Sequence, residues 1–271
     1  MSTGYSTISG LIFTAPNSYT SVRFNNMDIN NAVDITETAS HNSAPNRSMS
    51  IYKIARRDGE KLVSAYFARK EITISGYIQA SSKDDLEVLI DNFKSQFQVI
   101  SGNLDIDYAN KTRRYQATFS ELTIPRDPDN TDWCPFMVKF IVPSGKGQDV
   151  NFNNVNYLGI TSSPYTGTFI NLGSAEALPQ ITITVNTQTS LSAISLKGTA
   201  ATPTLTITRT FSNSDVVVID FSTYIVTVNG TAFNFTGAFP TWNSDSNTFV
   251  LTSTASARNL DVKFSYYPLY L

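Results

Sequence analysis

Glu71-Ile72-Thr73-Ile74-Ser75-Gly76-Tyr77-Ile78, with the segment that follows it to Phe119, sets the fold class of this chain. Its apolar and polar side chains alternate with period two, the pattern of a half-buried strand. Ser82 then stands as an N-cap, with Asp84, Asp85 and Glu87 in the first turn, where carboxylates meet the positive end of the helix dipole. Leu86, Leu89, Ile90, Phe93 and Phe97 recur along one helical face, and Gly102 reads as the helix stop. Next, Leu104-Asp105-Ile106-Asp107-Tyr108 leads into a turn at Ala109-Asn110-Lys111-Thr112. Arg113-Arg114-Tyr115-Gln116-Ala117-Thr118-Phe119 returns as its partner strand, giving a long hairpin with a charged tip.

No other segment reads as a helix. In the first half, further strands are predicted near Ile8–Phe13, Val22–Asn25, Tyr115–Leu122 and Met137–Val142. Thr38–Met49 is polar, carries Pro45 and reads as an exposed loop. In the second half, strands are predicted at Ile181–Val185, Leu205–Thr208, Val216–Ile219, Tyr224–Val228, Phe249–Leu251 and Leu260–Tyr267. Asn229-Gly230 is the signal of a two-residue hairpin turn. Short strands spaced by turn chemistry point to a β-sandwich or jelly roll. The fold class is therefore mainly β with one helix.

The length of 271 residues suits two domains. Charge divides them: residues 1–150 hold 16 of the 20 Lys+Arg and 17 of the 22 Asp+Glu. The Pro/Gly-rich segment Pro143-Ser144-Gly145-Lys146-Gly147-Gln148-Asp149 lies between the two regions, so the domains are placed at 1–145 and 146–271.

Composition excludes several function classes. A net charge of −2 with 15 % charged residues gives no electrostatic grip on nucleic acid or on a membrane surface. A single cysteine, Cys134, allows neither an internal disulfide nor a multi-cysteine metal site. No basic segment followed by an apolar core marks a signal peptide, and no apolar run approaches the roughly 18 residues of a membrane span. A cytoplasmic, reduced folding compartment is expected.

Residues for catalysis are equally scarce. His41, the only histidine, sits in a polar loop and reads as exposed, with no nucleophile elbow near it. Cys134, ahead of an apolar strand, reads as a small core residue. Asp105 and Asp107 share one strand face, which suits a solvated charged face better than an acid/base pair. Asp127, Asp129 and Asp132 have calcium-loop spacing but lack its turn glycine and closing glutamate. Ser144-Gly145-Lys146-Gly147 lacks the leading glycine and the following Ser/Thr of a phosphate loop. No enzyme activity, catalytic residue, cofactor or metal is predicted. Arg56, Arg57, Arg113 and Arg114 form the two Arg-Arg doublets, and arginine is favoured at protein interfaces.

At the level of order and spacing, the chain resembles the siphophage distal tail proteins. The likeness runs through Arg57-Asp58-Gly59-Glu60-Lys61-Leu62, Arg69–Ile78, the Leu86–Phe97 helix and Arg114-Tyr115-Gln116-Ala117. It continues through Leu178–Ile183, Val216–Asp220, Val228-Asn229-Gly230, Gly237-Ala238-Phe239-Pro240 and Tyr266–Leu271. Asn243–Asn247 departs from it, since many relatives carry a Pro-Gly turn there. The resemblance implies a tube-like, ring-forming (belt) N-terminal β-sandwich with a helix and long hairpin. It also implies a C-terminal jelly-roll or galectin-like β-sandwich. The implied role is a structural virion protein, a homohexameric hub ring that joins the tail tube to the tip or baseplate hub protein. In some relatives such a ring carries receptor-binding proteins. The four arginines become candidate ring or partner contacts. Two alternatives stand beside this role. One is a tail-tube-like ring protein. The other is a carbohydrate-binding β-sandwich module, with Trp242, Tyr165 and Tyr224 as exposed stacking residues.

Overall fold

The computed structural model describes residues 5–8, 11–14, 19–29, 33–37, 41, 43–53, 58–108, 111–126, 132–198 and 203–271. The chain divides into two compact units, Met1–Gln148 with Leu271, and Asp149–Tyr270.

The first unit begins with Tyr5–Ile8 (β1) and Leu11–Thr14 (β2), an antiparallel pair where the sequence suggests one strand. Tyr19–Phe24 (β3), Met27–Asp28 (β4), Val33–Glu37 (β5), Arg47–Lys53 (β6), Glu60–Phe67 (β7) and Lys70–Gln79 (β8) follow. The helix Lys83–Ser95 (α1) precedes Ser101–Tyr108 (β9), Lys111–Thr123 (β10), Trp133–Val142 (β11) and the short Gly147–Asp149 (β12). An antiparallel sheet runs β4-β3-β9-β10-β11-β8-β5. The alternation in β8 buries Lys70, Ile72, Ile74 and Ile78 on one side, as period two requires. Against that side, α1 presents Leu86, Ile90 and Phe93. Phe93 meets Phe136 edge-on at 4.8 Å, and Phe97 stacks on Phe119 at 5.0 Å.

The cap forms as the sequence suggests. The Ser82 hydroxyl accepts the Asp85 amide at 3.2 Å and donates to the Asp85 carboxylate at 2.8 Å. The stop differs: α1 ends at Ser95 with Gln96 as C-cap, and Phe97 is buried beyond the helix. Gly102 lies in β9, where a Cβ would fall 1.6 Å from Asn25 Oδ1. That oxygen accepts the Asn103 amide at 3.2 Å, so the glycine serves a close approach between strands, not helix termination.

The second unit contains Asn153–Ile160 (β13), Tyr165–Asn171 (β14), Gln180–Thr189 (β15), Ala193–Lys197 (β16), Thr204–Thr208 (β17) and Val216–Asp220 (β18). Ile225–Val228 (β19), Thr231–Ala232 (β20), Thr236–Gly237 (β21), Asp245–Ser253 (β22), Ala257–Tyr266 (β23) and Leu269–Tyr270 (β24) complete it. One antiparallel sheet has the order β13-β23-β15-β18-β19-β20 and the other β14-β22-β16-β17-β21. Ile181, Ile183, Val217, Ile219, Val262 and Phe264 of the first sheet share a core with Phe169, Leu196, Leu205, Ile207, Phe249 and Leu251 of the second. This is the β-sandwich the strand spacing predicts. Val228 pairs with Thr231 across Asn229-Gly230, whose φ angles of 50° and 78° make the predicted two-residue turn.

Candidate functional site

Two surfaces of the first unit gather the groups that the sequence singles out. The first is the polar face of β3, β9 and β10. In β9, Leu104 and Ile106 turn into the core, so Asp105 and Asp107 share the opposite face. Register places Asp105 between Arg23 and Arg114. The Arg114 guanidinium donates through Nε and Nη2 to the two Asp105 oxygens, each at 2.8 Å, a bidentate pair. Asp105 is only 4 % exposed, so the face is not the solvated one expected from the sequence. Asp107 accepts from Thr112 Oγ1 at 2.6 Å, from the Ser21 hydroxyl, and from Arg23 Nη2 at 3.3 Å. Asn103 with Gln116, and Ser101 with Thr118, extend the cross-strand ladder.

Burial opposes the charge on Asp107, but the donors from Ser21, Thr112 and Arg23 outweigh it and hold the carboxyl below its usual range. A carboxyl depressed in the folded state stabilises it above the unfolded value of about 3.9, and that contribution is lost as pH falls through the lower folded value. Asp107→Asn is therefore expected to lower stability at neutral pH and to flatten part of the acid limb below about pH 4. Urea titrations between pH 2 and 7 read both effects, and an unchanged acid limb would refute the assignment.

Of the four predicted arginines, the structure describes Arg113 and Arg114. They are successive in β10 and project to opposite faces, with Arg113 across from Ile106 on the side of Tyr115. Arg56 and Arg57 lie outside the described residues, as do Ala109 and Asn110 of the hairpin turn and Asp127 and Asp129.

The second surface is absent from the sequence reading. β6 and β7 form a two-stranded antiparallel ribbon, beginning at Arg47 within the stretch read as a loop. Ile51 is 52 % exposed and Leu62 54 %, and Met49, Tyr52, Val63 and Tyr66 are likewise exposed. The pairs Met49–Ala65 and Ile51–Leu62 lie to one side with Phe67, over which the Arg47 guanidinium sits at 4.7 Å. Ser48, Ser50 and Ser64 occupy the other side together with the exposed Tyr52 and Tyr66. Asp58-Gly59, with Gly59 at φ 97°, is the turn signal that marks this ribbon in the sequence.

At the base of the ribbon, Ala68 donates its amide to the Asn46 carbonyl at 2.7 Å. His41 is buried here, not exposed as the sequence suggests, with its ring edge-on to Tyr108 at 5.7 Å. Its carbonyl accepts from the buried Lys70 ammonium at 2.6 Å and from the Tyr115 hydroxyl at 3.3 Å. Burial pushes the Tyr115 phenol up to about 12 and lowers Lys70. A cleft of about 420 Å³ beside this point has Arg69 and Glu71 in its wall, paired to each other at 3.2 Å. Ser144-Gly145-Lys146-Gly147 is a turn followed by β12, and a Cβ on Gly145 would lie 2.5 Å from the Ala68 carbonyl.

Cys134 is buried, as the sequence suggests, and burial raises its thiol. Among the described residues, no three His, Cys, Asp or Glu side chains are placed to hold a metal. Among them, too, no helix is long and apolar enough to cross a membrane. In the second unit, Trp242 is 1 % exposed, which removes it as a surface stacking residue, and Tyr165 is half-buried.

Residues 172–270 match the family model described as siphovirus-type tail component, C-terminal domain. The fold resembles the crystal structure of the SPP1 Dit (gp 19.1) protein, a hub of the adsorption apparatus in phages that infect Gram-positive hosts. That match has a TM-score of 0.70 at 13 % identity and covers 93 % of this chain and 99 % of that one. The phage P2 baseplate in its activated conformation with calcium aligns at 8 % identity and a TM-score of 0.39, over 92 % of this chain and 97 % of that one. No curated protein sequence is significantly similar. The likeness is therefore to a siphovirus-type tail component in sequence over residues 172–270, and to SPP1 Dit in fold over nearly the whole chain.

Proposed function

We propose that this chain is the subunit of a homohexameric hub ring at the end of a siphophage tail. In this reading the ring joins the tail tube to the tip or baseplate hub protein and offers a base for receptor-binding proteins. It would assemble in the host cytoplasm before incorporation into the virion. The β6–β7 ribbon carries the proposal. A two-stranded ribbon is marginal on its own in water, and this one exposes an apolar side and strand edges suited to a neighbouring subunit. Such a contact joins two different surfaces head to tail, and repetition closes a ring. Arg56, Arg57 and Arg113 are proposed contacts to neighbouring subunits or tail partners. Arg114 is held by Asp105 in its own subunit, so its share in an interface would go through the ladder's outer surface.

Native mass measurement with negative-stain imaging tests the reading. Six subunits of 29.8 kDa give a ring of about 179 kDa. Long filaments would favour a tube-like protein instead. Ile51→Asp combined with Leu62→Asp is expected to shift the assembly to folded monomers, because both side chains are exposed in the subunit and carry little of its stability. A ring that persists unchanged in this variant would rule out the ribbon as its contact.

A further inference from the structure

We propose that the cleft at the base of the β6–β7 ribbon is a carboxylate-binding site with Lys70 as its charged anchor, an inference that does not rest on ring formation. Lys70 is 4 % exposed, and its ammonium donates to the His41 carbonyl at 2.6 Å. The Tyr115 ring faces it, with the centroid at 5.5 Å. An ammonium carries three N–H donors, and a carbonyl and a ring face offer it only partial negative charge. Among the described residues, no Asp or Glu pairs with Lys70. Asp105, buried to the same degree, shows the usual arrangement, since Arg114 engages both of its oxygens. A buried charge without a counter-ion is costly, and a site that keeps one is poised to receive the missing partner.

The cleft supplies the room. Lys70 forms part of its wall together with Ser43, Pro45, Asn46, Arg69 and Glu71. Its volume of about 420 Å³ falls within the roughly 300–1,000 Å³ of small-ligand sites. Arg69 and Glu71 pair with each other at 3.2 Å and are both exposed, so their charges balance and Lys70 sets the net charge of the wall. Ser43 and Asn46, also exposed, add uncharged hydrogen-bond donors.

The ligand class follows from that balance. One net positive charge matches a monoanion, whereas a dianion such as phosphate would leave a negative charge uncompensated beside Glu71. A carboxylate has two oxygens to share between the Lys70 ammonium and the Arg69 guanidinium or the neutral donors. It can come from a small free acid or from an Asp or Glu side chain of a docked chain, and the site chemistry is the same for both.

The test reads thermal midpoints of the full chain at constant ionic strength with three probes. These are acetate, the α-amide of N-acetylglutamate, whose only charge is its side-chain carboxylate, and the neutral N-acetylglutamine amide. Either carboxylate at about ten times its Kd is expected to raise the midpoint of the first unit by about 2–4 °C, and the neutral amide to leave it unchanged. Lys70→Met is expected to abolish that rise and to raise the midpoint of the free protein. Met replaces the stem without burying a charge, and the His41 carbonyl keeps the Tyr115 hydroxyl as donor. A lysine that only ties the His41 segment to β8 would give the opposite sign. Arg69→Gln, at an exposed position, is expected to weaken carboxylate binding about threefold. Tighter binding of the glutamate amide than of acetate assigns the site to an acidic side chain of a docked chain, and equal binding to a free acid. No shift with either carboxylate, an equal shift with the glutamine amide, or a lowered midpoint in Lys70→Met would each overturn the proposal.

Discussion

Trp242→Ala is expected to destabilise the second unit by about 3–5 kcal/mol, the range for truncating a large buried aromatic. The indole is fully buried and bridges the two sheets. It meets Phe169 of β14 at 5.4 Å, Phe264 of β23 at 5.8 Å and Phe221, beyond the end of β18, at 5.7 Å. Removing it opens a cavity that the ladder-bound strands on either side can only partly close. Trp242→Phe keeps most of the volume and should cost under about 1.5 kcal/mol. Chemical denaturation followed by near-UV circular dichroism distinguishes the two, and an alanine variant with the wild-type midpoint would contradict the packing.

Arg114→Ala is expected to cost about 3–5 kcal/mol in the first unit, because it leaves a buried carboxylate without its bidentate partner. Both Asp105 oxygens are engaged by Arg114 at 2.8 Å. Arg23 faces Asp105 across β3 but donates to Asp107, so the ladder offers no ready substitute. Adding Asp105→Asn to the variant removes the stranded charge and should recover a large part of the loss, and a double-mutant cycle measures how much. Equal destabilisation with and without Asp105→Asn would show that Arg114 acts through packing of its stem alone. A charge reversal at Arg114 would thus disturb the subunit before it reported on any ring contact.

Much of the fold is legible in local pattern. Ile72, Ile74 and Ile78 announce β8 by period two, Ser82 with Asp85 announces the cap, and Asn229-Gly230 announces its turn, because each depends on residues a few positions apart. Reading failed where stability comes from distant partners. β13, with three asparagines and a glycine, has weak strand propensity, yet it is held by its long neighbour β23. Gly102 looks like a helix stop because glycine commonly is one; only the approach of Asn25 shows its role. The β6–β7 ribbon was missed although Asp58-Gly59 marks it, since its exposed apolar residues do not alternate cleanly past the bulge between Ser50 and Ile51.

The sequence by itself determined that this is a mostly β protein with one helix. Its ordered motifs also resemble those of the distal tail family. Those features depend on periodicity and turn chemistry, which are properties of the linear chain. Only the tertiary structure decided which polar groups are exposed. His41 is buried through its carbonyl contacts with Lys70 and Tyr115, and Asp105 through pairing with Arg114, while Trp242 lies between two sheets and Tyr224 faces water. Burial depends on what register and packing bring from elsewhere in the chain, and residue type alone does not carry that information.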